Sequence, residues 1–459
     1  MARTRNVQLA EVIAEAGWTQ EQLARRMRQV AAEQRNGETS AFTRSHVNQW
    51  VRGVRPGERS VLILCETLSR GLGRTLTPAD IGLSDASPPA PEWSEDSATA
   101  LRELGSVELD RRRRGVLATL GYSAAGIVLP GTSWWETAAE RARTRRPPAP
   151  GSVDARDVAG VREMIDFFSR RDQRRGGGEG RAALAAYLHT DVAALLDRRA
   201  GDEEVRRELF STAGELTYLC GWMAFDASEH GLAQRYFVLA TRLAAEAEDA
   251  PLAGHVLRAM AHQAVDLGHP RQALDLATAS LERKRYAEAA PREKALIGVV
   301  HARALAVAGH RAETMAALRR AEDDLAAARD DGHEPARVFF FGEASLAHET
   351  ACALRDLGDL KGAEKEFRRS VRTRAKQTFT RTHSVTLGYL GAVQARQGAV
   401  EAACDTWGRA LDTMEGVRSG RARDTVIDMR RTLSPFRDRG PACVADIEDR
   451  ARTVLARIG

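Results

Sequence analysis

Five stretches between residues 222 and 411 follow one rule, which constrains the fold more than any other feature of the chain. They read "WMAFDASEHGLAQRYFVLA", "AVDLGHPRQALDLATAS", "LAVAGHRAETMAALRRA", "LRDLGDLKGAEKEFRRS" and "ARQGAVEAACDTWGRAL". In four of them a glycine (Gly268, Gly309, Gly358, Gly398) is followed five residues later by a small or short residue (Ala273, Thr314, Ala363, Ala403). Four residues further comes a larger or apolar one (Ala277, Leu318, Phe367, Trp407). The first stretch keeps Ala233 and Phe237 but carries its glycine at Gly231. Glycine ends a helix by accepting left-handed backbone, the small residue lets two helices approach, and the larger one fills the gap to the neighbour. A lone helix pair cannot cover its apolar face, so such units must stack into an array. No strand-like alternation of any length appears after residue 160, and the fold class expected is all-α.

The opening of the chain is a different module. Through Arg74 it holds twelve Arg and no Lys against seven Glu and no Asp, which equals the net charge of +5 of the whole chain. A basic head on a neutral body is the pattern of a small module that meets a polyanion. "VQLAEVIAEAG" puts Val7, Leu9, Val12, Ile13 and Ala16 near helical spacing and stops at Gly17. "WTQEQLARRM" starts a second helix on a Thr19–Gln22 capping box, with Leu23, Ala24 and Met27 turned inward. In "FTRSHVNQWVRG", Thr43 is a cap, and Val47 and Trp50, three apart, pin a short helix to the domain. Arg44, Ser45, His46, Asn48 and Gln49 are left facing outward, a row able to read base edges in a major groove. Arg52, Arg55 and Arg59 beyond it suit phosphates. "SVLILCETLSRGLG" supplies a fourth helix and "TLTPADIGL" a short fifth.

On these residues the head resembles the helix-turn-helix of the Cro and phage-repressor (XRE) family. The resemblance implies base-contacting roles for Arg44, Ser45 and Gln49, with His46 or Asn48 beside them, and backbone-contacting roles for Thr19, Gln20 and Arg52. The sequence departs from the family in the turn, where "QVAAEQRNGETSAF" intervenes and helix two is lengthened or a loop inserted. The repeats resemble degenerate tetratricopeptide repeats, stretched from 34 to about 40 residues. The order of modules is similar to a large group of actinobacterial regulators. The domains expected are 1–83, an XRE-type helix-turn-helix; 84–155, a linker and docking-helix region; and 156–459, a helical-repeat sensor and dimerisation body. In the linker region, Trp134 and Trp135 are expected as docking anchors, and the apolar stretch 110–131 as a buried or linker helix rather than a membrane span.

Repeat geometry points the first helix of each pair at the concave wall. That places Glu215, Tyr218, Trp222, Phe225 and Asp226 there, then His255, Arg258, His262 and Asp266, then Arg303, and finally His348, Cys352 and Arg355. Aromatics beside Arg and His suit an acidic or amphipathic guest, a small molecule or peptide; the bland alternative is a wall of structural histidines and core aromatics. No spacing suits a metal, "RRGGGEGRAAL" lacks the strand and the Gly-Lys-Ser/Thr ending of a phosphate loop, and no catalytic constellation or cofactor motif is present. Scattered cysteines and an N-terminus without an apolar signal region suggest a reducing cytoplasm. The function expected is a homodimeric regulator that binds a double-stranded DNA operator, without membrane contact, and whose body senses a ligand. The alternative is a protein-interaction scaffold whose head contacts proteins.

Overall fold

The computed structural model describes residues 5–33, 42–83, 93, 96–109, 122–123, 129–329, 332–436 and 441–458. Among them every regular element is helical except one parallel pairing of Ser152–Val153 with Arg199–Ala200. In the head, α1 (Val7–Glu15), α2 (Gln20–Glu33), α3 (Arg44–Val51) and α4 (Glu58–Leu72) enclose one apolar core containing Leu9, Leu23, Met27, Val47 and Leu64. Asn6 caps α1, accepting from the Leu9 amide at 2.9 Å. The expected box opens α2: the Gln22 amide donates to Thr19 Oγ1 at 3.2 Å and the Thr19 amide to Gln22 Oε1 at 2.8 Å. Val7, the first residue of α1, lies outside the core and is 55% exposed. Part of the long gap before α3 extends α2 to Glu33; residues 34–41 lie outside the described part. The expected fifth helix is a single 3-10 turn, Ala79–Ile81, because Gly82 at φ 72° ends it at once.

The region between head and repeats docks on the body. In α5 (Ser97–Leu109), Leu101 is buried and Ser97 Oγ donates to Glu246 at 2.6 Å. In α6 (Thr132–Thr144), the Arg285 guanidinium lies 4.8 Å from the Trp135 ring, which packs against the body core as an anchor, whereas Trp134 Nε1 donates to the carbonyl of Trp93, within the linker region, at 2.8 Å. Most of the apolar stretch 110–131 lies outside the described residues; no described helix is long and apolar enough to cross a membrane.

The body begins with α7 (Ala155–Arg175) and the short α8 (Arg181–Tyr187) and α9 (Ala193–Leu196), joined by a π turn. The Gly-rich stretch 176–180 is the turn between α7 and α8. Five helix pairs follow: α10 (Glu203–Asp226) with α11 (His230–Glu246), and α12 (Ala250–Asp266) with α13 (Pro270–Leu281). After the one-turn α14 (Lys284–Ala287) come α15 (Pro291–Val307) with α16 (Arg311–Ala327), α17 (Glu343–Asp356) with α18 (Leu360–Thr373), and α19 (Thr380–Arg396) with α20 (Val400–Thr413). The closing helices are α21 (Gly420–Leu433) and α22 (Cys443–Ile458). This is a TPR-like helical-repeat array. Gly268, Gly309, Gly358 and Gly398 take φ between 79° and 85° at the turns, and Phe237, Phe367 and Trp407 are fully buried between neighbours. Where the first pair lacks the glycine, Ser228 adopts φ 63° itself, a left-handed conformation that costs about 1 kcal/mol or more outside glycine.

The array curls until its ends meet. The Asp226 carboxylate, at the end of α10, accepts from Arg381 Nη1 of α19 at 2.8 Å, from Ser419 Oγ ahead of α21 at 3.0 Å and from the Gly177 amide at 2.8 Å. Arg381 Nη2 also donates to Asp172 of α7 at 3.0 Å, so α7 bridges the first pair and the fifth. The head rests on the turn between α12 and α13. There Glu66 Oε1 of α4 and His269 Nε2 are 2.7 Å apart and buried, and Arg70 supports Glu66 at 2.8 Å. Tyr122 fills the same junction, its hydroxyl donating to Gln272 Oε1 at 2.8 Å and its ring 5.5 Å from that of His269.

Candidate functional site

Two surfaces carry the residues singled out in the sequence. On α3, Val47 is fully buried and Trp50 nearly so, while Arg44, Ser45, His46 and Gln49 are exposed and Asn48 half-buried. The row therefore projects from a helix fixed by its opposite side. Thr43, exposed at the N-cap, and His46 complete a capping box with Thr43 N donating to His46 Nδ1 at 3.3 Å, which leaves Nε2 as the outward atom of that ring. Thr19 and Arg52 are exposed, Gln20 is half-buried, and Arg55 is exposed beyond Gly53, the left-handed stop at φ 91°. Sequence spacing placed these side chains without help from distant contacts, because a helix of eight residues has only one way to bury Val47 and Trp50 together.

The second surface is the inside of the array, and it is more closed than a concave wall. The connection from α16 to α17 folds across it: Arg337 donates to Glu215 Oε1 of α10 at 2.7 Å and to Glu293 of α15 at 2.7 and 2.9 Å. What remains is a cavity of about 50 Å³, touched by α7, α10, α12, α15, α17, α19 and α21. Of the nine candidates, Trp222, Arg258, His262 and His348 line it. Three others stand directly behind. Arg258 donates to Tyr218 Oη at 3.0 Å and to His255 Nε2 at 2.9 Å, and His255 Nδ1 faces Glu293 at 3.0 Å. Arg303 bonds Glu349 at 3.0 Å, Asp266 at 3.1 Å and His262 at 3.1 Å, so its charge is already neutralised. Asp226 belongs to the closure of the array, and Arg355 pairs with Asp356 at 2.8 Å and covers the Tyr389 ring at 5.3 Å. The repeat rule could not find Gln173, Phe340 or Arg374, which also line the cavity from α7 and from connecting segments. Arg381 and Arg421 do lie on helices, but nothing local marks them.

Burial governs titration here. Desolvation pushes the imidazoles of His255 and His348 down to about 3 and those of His230 and His383 to about 4, from an ordinary 6.5. For His255 this agrees with the geometry, since Nε2 accepts from Arg258 and only Nδ1 is free to carry a proton. Glu349 is also desolvated, but Arg303 outweighs that and holds its carboxyl at about 2. The unfolded chain takes up protons at these histidines below pH 6.5, while the native chain resists until about 3 to 4. Stability therefore falls as pH drops through that window and is fully present above it. Burial raises the carboxyls of Asp172 and Glu246 to about 6 and 7, which acts in the opposite sense, but the four histidines outnumber them, so urea unfolding midpoints should decline between about pH 6 and 5; a midpoint flat down to about pH 4.5 would mean that the two carboxyls offset the histidines. Among the described residues no group of three His, Cys, Asp or Glu could hold a metal ion. Four cysteines are buried free thiols and Cys443 is half-buried.

Comparison with known proteins adds a match over part of the head. A family model described as the SP15 N-terminal domain matches residues 9–84. No curated protein matches the chain. Among solved structures, a Rap protein complexed with competence and sporulation factor is similar at 13% identity, over 66% of this chain and 98% of that one, with a TM-score of 0.38. At that distance nothing about either surface is read from it.

Proposed function

We propose that the chain is a DNA-binding transcriptional regulator whose TPR-like body senses a small ligand and thereby alters operator binding. The observation that carries this reading is the outward row Arg44, Ser45 and Gln49 on a helix locked by Val47 and Trp50, within a module that holds the whole net charge. In this role α2 and α3 act as the helix-turn-helix pair, α3 entering the major groove, with Thr19, Gln20, Arg52 and Arg55 near the backbone. The role is one of binding rather than catalysis. One such head reads half a site, so the working form is a homodimer that sets two heads about one DNA turn, ~34 Å, or a multiple apart. Light scattering at micromolar concentration tests that state.

Genomic fragments titrated with the full chain, read by fluorescence anisotropy, should bind selectively, and log affinity should fall linearly with log salt as counterions are released. Arg44→Ala should cost roughly 1–3 kcal/mol on the preferred site and relax one base position, whereas Arg52→Ala should weaken all sequences alike. Equal profiles for the two variants would remove α3 as the reading helix. Failure to bind any fragment at low salt would leave the scaffold role, in which the head contacts proteins.

A further inference from the structure

The cavity inside the array is lined by more cations than anions. Its lining includes Arg258, Arg374, Arg381 and Arg421 against a single carboxylate, Glu349. Arg381 is neutralised by Asp172 and Asp226, and Arg421 has Asp266 at 3.9 Å. Arg258 and Arg374 differ. Each is at most 5% exposed, each has a buried Nε without a hydrogen-bond partner, and among the described residues neither has a carboxylate within ion-pair distance. Arg258 hydrogen-bonds a tyrosine hydroxyl and a neutral imidazole, and its guanidinium lies 5.7 Å from the Trp222 ring centroid. Arg374 bonds the Ala344 carbonyl and the hydroxyls of Ser345 and Ser370. A guanidinium in such a place loses hydration that neutral partners replace only in part.

We propose that this cavity is an anion site, in which Arg258 and Arg374 hold a compact oxyanion group, either free or at the end of a small metabolite whose apolar part rests against Trp222 and Phe340. The inference names the ligand class for the sensing role above and rests on that role only for the cavity, not for the head. Size limits the guest: about 50 Å³ is room for roughly three to five waters at ~10–15 Å³ each, enough for a phosphate or carboxylate group and not for a folded peptide. Burial also pulls the Arg374 guanidinium down to about 10, the direction expected where a cation lacks its counter-ion. A planar guanidinium can present two parallel N–H groups to an oxyanion, which favours this chemistry over a neutral guest.

The test uses the full chain and three probes: inorganic phosphate, phenyl phosphate and benzoate, followed by calorimetry and by thermal unfolding at constant ionic strength. At least one should bind at millimolar concentration or below and raise the melting temperature. Phenyl phosphate binding no better than phosphate would mark a free anion, and stronger binding an anion carried on an apolar body. Arg258→Met and Arg374→Met should each weaken binding roughly tenfold or more. Arg374→Met should also leave the ligand-free protein at least as stable as the parent, which a purely structural arginine would not do. Arg374→Lys keeps the charge and guards against a misfolded methionine variant; it should retain part of the response. Arg52→Ala, on the head, should leave anion binding unchanged. No response to any probe, or a response kept in both methionine variants or lost in Arg52→Ala, would overturn the site. Because DNA binding is measured separately, loss of the anion site with selective DNA binding intact would leave the head's role standing, and the reverse result would leave the anion site standing.

Discussion

Arg381→Ala is expected to lower the unfolding free energy by about 3–5 kcal/mol, the cost of taking one partner from a buried ion pair. It should be the most damaging single change in the body. The side chain is 3% exposed and stands between Asp172, 1% exposed, and Asp226, fully buried, so its removal leaves two buried carboxylates without the cation that bridges them. The effect of Asp226→Asn should be smaller. Asp172 is pushed up to about 6 by burial, with the charge of Asp226 adding to the rise, so loss of that charge removes a repulsion and leaves Asp172 to pair with Arg381 alone. The deficit of Arg381→Ala should shrink at lower pH, because the stranded Asp172 carboxyl, already pushed up by burial, is then neutralised by a proton. A double change, Arg381→Met with Asp226→Asn, should recover part of the loss, since contacting residues do not contribute additively. Urea unfolding of the four proteins measures all of this, and a cost under about 1 kcal/mol for Arg381→Ala would mean that the array is closed by other contacts.

Trp50→Ala should abolish DNA binding while sparing the body. Truncation of a large buried aromatic costs about 3–5 kcal/mol, a large share of what a head of this size can hold. The indole lies edge-on to Phe42, with ring centroids 6.1 Å apart, and stacks near His46 at 6.3 Å, so its loss frees both ends of α3 at once. Circular dichroism should keep most of its helical signal, carried by the repeats, and the response to phosphate or phenyl phosphate should persist. If the variant binds genomic fragments as tightly as the parent, α3 is not the contact and the proposed role of the head falls.

The parts of this structure legible in the sequence are those decided locally. Trp50 and Val47 declare their helix face by spacing alone. The turn glycines Gly268, Gly309, Gly358 and Gly398 declare their backbone, and Ala363 with Phe367 declare how one helix nests against the next. Even the irregular first turn follows the rule at the level of position, since Ser228 stands five residues before Ala233, where the other pairs have glycine, and takes the left-handed conformation anyway. The closure was not legible, because Arg381 meets Asp172 across 209 residues and nothing near either residue signals the meeting. For the same reason nothing in the sequence marks a cover over the concave wall. The cover comes from Arg337, Phe340 and Phe341, in a connecting segment that the repeat rule treats as spacing. Of His255, Arg258 and His262, the last two line the cavity, yet partners such as Tyr218, Glu293 and Arg303, which arrive from other helices, decide their chemistry.

Closure has a consequence for how such a chain can change over evolutionary time. An open repeat array tolerates gain or loss of whole units, since each touches only its neighbours and a new one lengthens the stack. Here Asp226 of the first pair must meet Arg381 of the fifth and Ser419 just beyond it. A duplicated pair would add its own rotation and carry those partners past each other, and a deleted pair would leave them short. The number of repeats is thus fixed by geometry as the number of staves in a barrel is fixed, and variation is confined to the faces of the staves.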